Sequence, residues 1–389
     1  MERDSYLITG LGAVSAAGTS CRELLSNLKV GKRSPGRISL FETAIDKPVF
    51  SVKEIPAEFK IEGSRTLSLT LTAVAEALSM ARLKTKSSLR VGVCLGTTVA
   101  CQLNDIDFYR KYRDRQDPDW DAITRYLEGN LAEAVAHRYG FTGPQLTVVN
   151  ACSSGTDAIG VGMSWLKSDL CDIVVAGGAD ELNRVPLAGF NSLNILSDKP
   201  CTPFDKNRTG LNLGEGAGIM VLEKGSAARS RRMDSSLYCL GYGTYADAYH
   251  LTAPRPDGSS IEQAINTALN YAGVSHEEIA FINAHGTATR NNDLVEGNVF
   301  YRLFGSGAVF YSSKGYTGHT LGAAGAVEAV FTALGLSEGW IPGSAGFSEK
   351  DPDIPLCPIQ EKTDIRGSFA LSTSLAFGGV NSALVIGVK

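Results

Sequence analysis

A chain of 389 residues with 43% apolar and 20% charged side chains is long enough for two cores and has the balance of a soluble globular protein. Its net charge of −4 excludes the broad basic surface that nucleic acid selects, and its longest apolar runs are broken by Gly, Ser or Asp short of a membrane span. Its eight cysteines include no C-x-x-C pair, which argues against a zinc knuckle or a disulfide scaffold, and the opening MERDSYLITG carries acids rather than a targeting pattern, so no metal and a cytoplasmic location are expected.

Apolar runs alternate with helical patterns along the chain. Strands are expected at 6–14, 90–95, 146–150, 172–176 and 219–223, with helices at 66–83 and 153–167 among them. The polar stretch 110–120, RKYRDRQDPDW, reads as a surface helix or loop. The second part repeats the theme, with strands at 237–242, 279–284, 309–313, 368–372 and 384–388 and helices at 261–272, 294–303 and 322–336. This is an α/β pattern of sheets covered by helices. YLITGLGAVSAAG from Tyr6 matches LYCLGYGTYADAY from Leu237, and QLTVVNACSSGTDAIG matches AVFYSSKGYTGHTLGAAGAVEAV. The reading is an internal duplication with a joint in the polar segment 225–235, giving halves 1–230 and 231–389.

The chemistry-bearing residues sit at strand-to-helix bends. Cys152 lies at one, where a helix N-terminus stabilises a thiolate and lowers the thiol pKa, and Ser153, Ser154 and Gly155 leave room for a substrate. A cysteine packed beneath a turn is the plainer alternative. Of five histidines, His285 and His319 stand at comparable bends of the second half, and Lys314 precedes His319 by five residues. His137 and His276 read as surface residues, and His250 stays open. One cysteine, two histidines and a lysine facing one cavity form a constellation for nucleophilic catalysis. GLGAVSAAG misses the dinucleotide fingerprint, with Ser15 where the third glycine belongs. LGEGAG and LAFGGVNSA lack a phosphate-loop lysine and read as tight turns or hairpins, so no cofactor is expected.

NACSSGTDAIG, AGGADE, PFDKNRTGLNLGEGAG, DAYHLTAP, NAHGTATRNND, SSKGYTGHTLGAAGAVEA and LAFGGVNSAL together resemble the β-ketoacyl-acyl carrier protein synthases of the fatty-acid elongating, Cys-His-His type, over essentially the whole length. The resemblance implies the thiolase-like fold, five layers αβαβα with an internal duplication. It implies decarboxylative condensation of an acyl group on Cys152 with malonyl-acyl carrier protein. His285 and His319 would hold the malonyl thioester carbonyl, Lys314 would order the site with Glu328, and Phe377 would gate it while its amide and that of Cys152 form an oxyanion hole. Thr287, Thr289, Gly378, Leu375 and Leu211 are the implied substrate-binding residues. Lys60, Arg65, Lys206 and Arg208 are candidates for docking the acidic acyl carrier protein, and the assembly is expected as a homodimer or as a heterodimer with a chain-length factor.

The chain departs from that pattern between residues 95 and 143, at Leu375-Ala376 where Phe-Gly is usual, and at Asn291 and Asn292. The alternative is therefore a ketosynthase of a specialised aryl-polyene or polyketide-type pathway. A papain-like hydrolase is disfavoured because C-G-[SA]-C-[WY] is absent. A degradative thiolase is disfavoured because 372–379 holds no second cysteine, and a non-catalytic partner because the four site residues are all present.

Overall fold

The computed structural model describes residues 6–84, 88–98, 106–121, 123 and 130–389. Cys101 and the N-terminal five residues lie outside them. The first half contributes β1 (Tyr6–Ser15), β2 (Val91–Gly96), β3 (Gln145–Val148), β4 (Ile173–Asp180) and β5 (Gly216–Glu223). The second contributes β6 (Leu237–Ala246), β7 (Ile279–Asn283), β8 (Phe310–Tyr311), β11 (Phe369–Ala376) and β12 (Val380–Val388), with β9 (Trp340–Ile341) and β10 (Thr363–Asp364) in a separate small sheet.

The ten-stranded sheet runs β3-β2-β4-β5-β1-β6-β12-β11-β7-β8. Read outward from its centre, each side repeats one topology. β1 pairs antiparallel with β5, β5 antiparallel with β4, β4 parallel with β2, and β2 parallel with β3. β6 pairs antiparallel with β12, β12 antiparallel with β11, β11 parallel with β7, and β7 parallel with β8. Among the described residues, the strands of the two sides pair where Tyr6 faces Cys239 and Leu7 faces Tyr238.

The repeat extends to single residues. The β1–β5 register shifts between Ile8 and Gly10, and the β12–β6 register shifts where β6 passes from Cys239 to Gly241. A Cβ on Gly10 or Gly12 would lie 2.1 or 2.0 Å from the carbonyl oxygen of Ala77 or Ala73, in the Arg65–Met80 helix. A Cβ on Gly241 or Gly243 would lie 2.1 or 2.2 Å from that of Ala268 or Ala264, in the Ser259–Ala272 helix. Each outer helix thus lies directly on its sheet backbone at a strand with two glycines spaced by one residue.

Two further helices, Ser154–Lys167 and Ala324–Glu338, touch each other and strands of both sides, and so form a middle layer. With the outer helices this gives the αβαβα order. The small residues of ACSSG and LGAAGA allow that contact, since a Cβ on Gly325 would stand 1.9 Å from Thr156 Oγ1. The stretch Leu321–Glu338 is long and apolar enough to cross a membrane but is 89% buried inside the protein, as a core helix is.

Three sequence expectations change in detail. The glycines of LGEGAG run into β5 instead of turning, and they serve close packing there: a Cβ on Gly218 would stand 2.5 Å from the Ala326 backbone. The strand expected at 309–313 shortens to Phe310–Tyr311, because Ser312 turns its hydroxyl to Gly286 O and a helical turn begins at Lys314. The polar 110–120 stretch divides between the Ile106–Arg113 helix and a following loop, where Trp120 packs edge-on against Phe108.

Because the two glycine pairs occupy equivalent contacts, Gly10→Ala and Gly241→Ala are expected to lower stability by similar amounts, about 1–3 kcal/mol each, as forced overpacking does. Urea denaturation of both variants measures this. A loss at only one position would contradict the equivalence of the two strand-helix contacts.

Candidate active site

Cys152 sits in the turn between β3 and the Ser154–Lys167 helix and is 4% exposed. The turn is tight, with Ala151 at φ 48°. Asn150 N–H donates to Ser154 Oγ at 2.8 Å, and Ser154 Oγ donates to Ala151 O at 2.6 Å. One buried carboxylate braces it. Asp157 accepts from Asn150 Nδ2 at 2.5 Å and Ser153 Oγ at 2.8 Å on the Cys152 side. From β6 and β12 it accepts from Tyr242 OH at 2.9 Å and Ser382 Oγ at 2.5 Å.

His319 faces the sulfur, with Nε2 3.1 Å from Cys152 Sγ. Its backbone is held by the Gly-rich 210–214 segment: His319 N–H donates to Asn212 O at 2.7 Å and Gly214 N–H to His319 O at 2.9 Å. The His285 ring stands 5.2 Å from that of His319, nearly perpendicular at 86°. Both are buried.

Lys314 links the parts. Its ammonium donates to His285 Nδ1 at 3.2 Å, to His285 O at 2.6 Å and to Glu328 Oε1. An ammonium has only protons to give, so Nδ1 is the acceptor and the proton of the neutral imidazole resides on Nε2, the other ring nitrogen. Burial, then the Lys314 charge, holds His285 and His319 well below the ordinary histidine range. Burial raises the Glu328 carboxyl to about 7 against the pull of Lys314.

The sequence pointed to a lowered thiol pKa at Cys152; the structure reverses this. Burial pushes the thiol up to about 12, against the Lys314 charge and the Phe377 N–H that lower it. Desolvation of the charged form outweighs the helix terminus here.

A second buried cluster fixes the His285 loop, and the sequence reading missed it. Glu296 accepts from His285 N–H at 2.7 Å, Gly286 N–H at 2.8 Å and Thr373 Oγ at 2.7 Å. Asp293 accepts from Thr287 N–H at 3.0 Å, and from Phe204 N–H at 2.7 Å. The signal was an acid pair three residues apart in the helix that follows the histidine turn.

The cavity in front of the cysteine measures about 420 Å³ and takes in Cys152, His285, His319 and Phe377. Thr287, Thr289, Leu375 and Leu211 line it as well. Gly378 does not; it occupies the β11–β12 turn at φ +87°, a conformation that suits glycine, and its N–H donates to Leu251 O at 2.8 Å. The Phe377 ring stacks on Phe190 at 5.3 Å and 15°.

The basic candidates divide. Arg65 is spent on buried Glu215, donating from Nε at 2.8 Å and Nη2 at 2.6 Å, and on Val52 O at 2.8 Å. Arg208 is 3% exposed and donates to Asp351 at 2.5 Å and to the Asp205 and Arg290 carbonyls. Arg208 is too deeply buried to meet a partner's surface, and Arg65, its side chain 27% exposed, is the counter-charge of an interior acid. Lys206 is exposed and paired with Glu349 at 2.5 Å, and Lys60 is exposed beside the Ala57–Phe59 turn. His137 is exposed, His276 half-buried, and exposed His250 accepts at Nδ1 from the Thr252 and Ala253 N–H groups. Among the described residues no group of three or more His, Cys, Asp or Glu side chains is arranged to hold a metal ion.

Family models described as Beta-ketoacyl synthase match residues 6–228 (N-terminal domain) and 238–348 (C-terminal domain). A putative mitochondrial 3-oxoacyl-[acyl-carrier-protein] synthase of Schizosaccharomyces pombe is 32% identical, the match covering 97% of each chain. A 3-oxoacyl-[acyl-carrier-protein] synthase 2 of Staphylococcus aureus is 31% identical over 97% of this chain and 100% of its own. Among solved structures, the ishigamide ketosynthase/chain length factor superposes with a TM-score of 0.93 at 30% identity, covering both chains fully. A ketosynthase in complex with its chain length factor from Xenorhabdus doucetiae superposes with a TM-score of 0.87 at 31% identity, over 99% of this chain and 98% of that one.

Lys314→Met leaves Glu328 buried without its cation and is expected to cost about 3–5 kcal/mol of stability. Lys314→Met/Glu328→Leu should recover most of that loss in chemical denaturation. Nitrogen NMR should show His285 protonated at Nε2 in the parent protein and without that preference in both variants; a preference that persists would overturn the Lys314 assignment.

Proposed function

The chain belongs to the β-ketoacyl synthase family, and from that premise we propose how its own residues carry a decarboxylative condensation. The protein is a β-ketoacyl-acyl carrier protein synthase, an acyltransferase of the thiolase-like fold. The observation that supports the residue roles is the contact of Cys152 with His319, beside a His285 whose proton Lys314 directs to Nε2.

In the first step Cys152 Sγ attacks the carbonyl carbon of an acyl thioester on acyl carrier protein. The thiol proton passes by way of His319 Nε2 to the departing carrier sulfur, which leaves as the thiol and returns the ring to neutral. The tetrahedral oxyanion lies against the amides of Cys152 and Phe377. In the second step malonyl-acyl carrier protein loses carbon dioxide, and the electron pair of the broken C–C bond becomes an enolate. His285 donates its Nε2–H to the enolate oxygen, which is why that ring must stay neutral and buried, and His319, its proton passed on to the carrier thiol, lies beside it. The enolate carbon attacks the Cys152 thioester, the C–S bond breaks, and the departing thiolate takes a proton from solvent to restore the thiol. A covalent acyl-enzyme divides one carbon–carbon bond formation into two easier steps.

The cysteine comes from the half ending near residue 230 and the histidines and lysine from the half that follows, so the site is complete only where the two meet. β3 is an edge strand with Leu146 43% exposed, and Val149, just beyond its end, is 67% exposed. We assign this edge to a dimer partner, either a second copy or a chain-length factor, because an apolar sheet edge is stable only when covered. Acyl carrier protein is the proposed substrate carrier, and the cytoplasm the proposed location. The full-length superposition on two ketosynthases named with chain length factors favours a specialised pathway beside fatty-acid elongation as the setting.

Incubation with a panel of saturated and polyunsaturated acyl carrier protein thioesters should add the mass of one acyl group to the intact protein, and none to Cys152→Ala. The preferred chain distinguishes elongation from the specialised setting. Acylation of the Cys152→Ala protein would remove the cysteine from its role.

A further inference from the structure

The rim of the Cys152 cavity carries a cation that these steps do not use. Arg290 opens the Arg290–Phe304 helix directly after Thr289; it is exposed and lines the cavity. Its backbone is fixed from below, since Arg208 Nη2 donates to Arg290 O at 3.1 Å. Its guanidinium takes part in none of the ion pairs among the described residues; its charge reaches Asp351 at longer range, and the nearby acids are hydrogen-bonded or paired elsewhere. Asp351 is held by Arg208, Glu349 by Lys206, and Asp293 is buried under the His285 loop. Asp247, in the cavity wall, accepts from Asn381 Nδ2 at 2.8 Å and from Arg255 N–H at 2.9 Å. A cation in a first helical turn adds to the positive end of the helix dipole, which is unfavourable alone and favourable in front of an anion.

We infer that Arg290 receives the phosphodiester of a carrier protein's thioester arm, and so sets the affinity for the carrier-borne substrate without touching the reacting atoms. The inference rests on the condensation reading above. An acyl chain and a malonyl group reach Cys152 through this cavity, and an arm that delivers them must leave its charged, carrier-attached end at the rim. A guanidinium there offers paired N–H donors to the phosphate oxygens. The role is that of a specificity residue. It replaces Arg65 and Arg208, whose charges are consumed inside the fold.

The test compares the parent protein with Arg290→Ala and Arg290→Lys on three malonyl donors: the carrier-bound thioester, the coenzyme A thioester, and the N-acetylcysteamine thioester, which has no phosphate. For Arg290→Ala, KM for the carrier-bound donor should rise about five- to tenfold, the range for one charge-assisted contact at a partly exposed rim, with kcat nearly unchanged. Arg290→Lys should restore part of the loss, and KM for the N-acetylcysteamine donor should not move. An equal rise for that truncated donor, or no rise for the carrier-bound one, overturns the assignment. A rise confined to the coenzyme A thioester gives the contact to coenzyme A and likewise overturns it. A parent protein that condenses none of the three refutes the condensation reading itself, which is a different result from an indifferent Arg290.

Discussion

The buried ammonium of Lys314 fixes the state of the groups around it. It is 1% exposed, and its three protons meet three acceptors: His285 Nδ1, His285 O and Glu328 Oε1. A charge in a dry interior persists only when it is paired and its hydrogen bonds are satisfied. Once it is, the consequences spread. The His285 tautomer is set, the loop before it is pinned, and the positive field that reaches His319 and Cys152 disfavours imidazolium and favours anions. The pair with Glu328 is thus poor as a source of stability and useful as a fixed electrostatic fitting.

The fold exists to bring that fitting to a cysteine from elsewhere in the chain. Cys152 and Lys314 are separated by 162 positions (314 minus 152), and no local structure can join them. Two sides of one sheet with the same topology, folded around a shared middle layer, place the strand-to-helix bends of both halves around one cavity. The middle helices come this close because Gly155 and Gly325 carry no side chains at the crossing. Asp157 then ties the halves at the Cys152 turn, accepting from Asn150 and Ser153 on one side and from Tyr242 and Ser382 on the other.

What could be read from the sequence followed from how local its signal was. The strands, the principal helices and the repeat were legible because each rests on periodicity or on glycine spacing, as at Gly10, Gly12, Gly241 and Gly243. Cys152, His285, His319 and Lys314 stood out because each lies in a run of small residues at a bend. Arg65 and Arg208 misled because a basic residue beside a loop looks the same whether it meets solvent or an interior acid. Their partners lie 150 and 143 positions away. The thiol misled for a related reason: a helix N-terminus is a local feature, but dryness is a property of the assembled site. Gly378 is adjacent to Phe377, yet its N–H goes to Leu251 because successive residues of a tight turn face different ways.

The neutral resting state suits the proposed two-step chemistry. A thiolate at Cys152 would draw on the Phe377 N–H, the Lys314 field and His319, the same groups that face the anionic species of each step. Kept as a thiol, the sulfur leaves those dipoles unspent and hands its proton across 3.1 Å when an acyl thioester arrives. The acyl-enzyme that results is uncharged, so the first anion to enter the cavity is the malonyl carboxylate, whose charge passes to the enolate as carbon dioxide leaves. Preorganised donors stabilise a developing charge most when nothing already occupies them and water is absent. The burial that raises the thiol and lowers the histidines is therefore one condition with one purpose, to reserve the field of Lys314 for the enolate and the oxyanion.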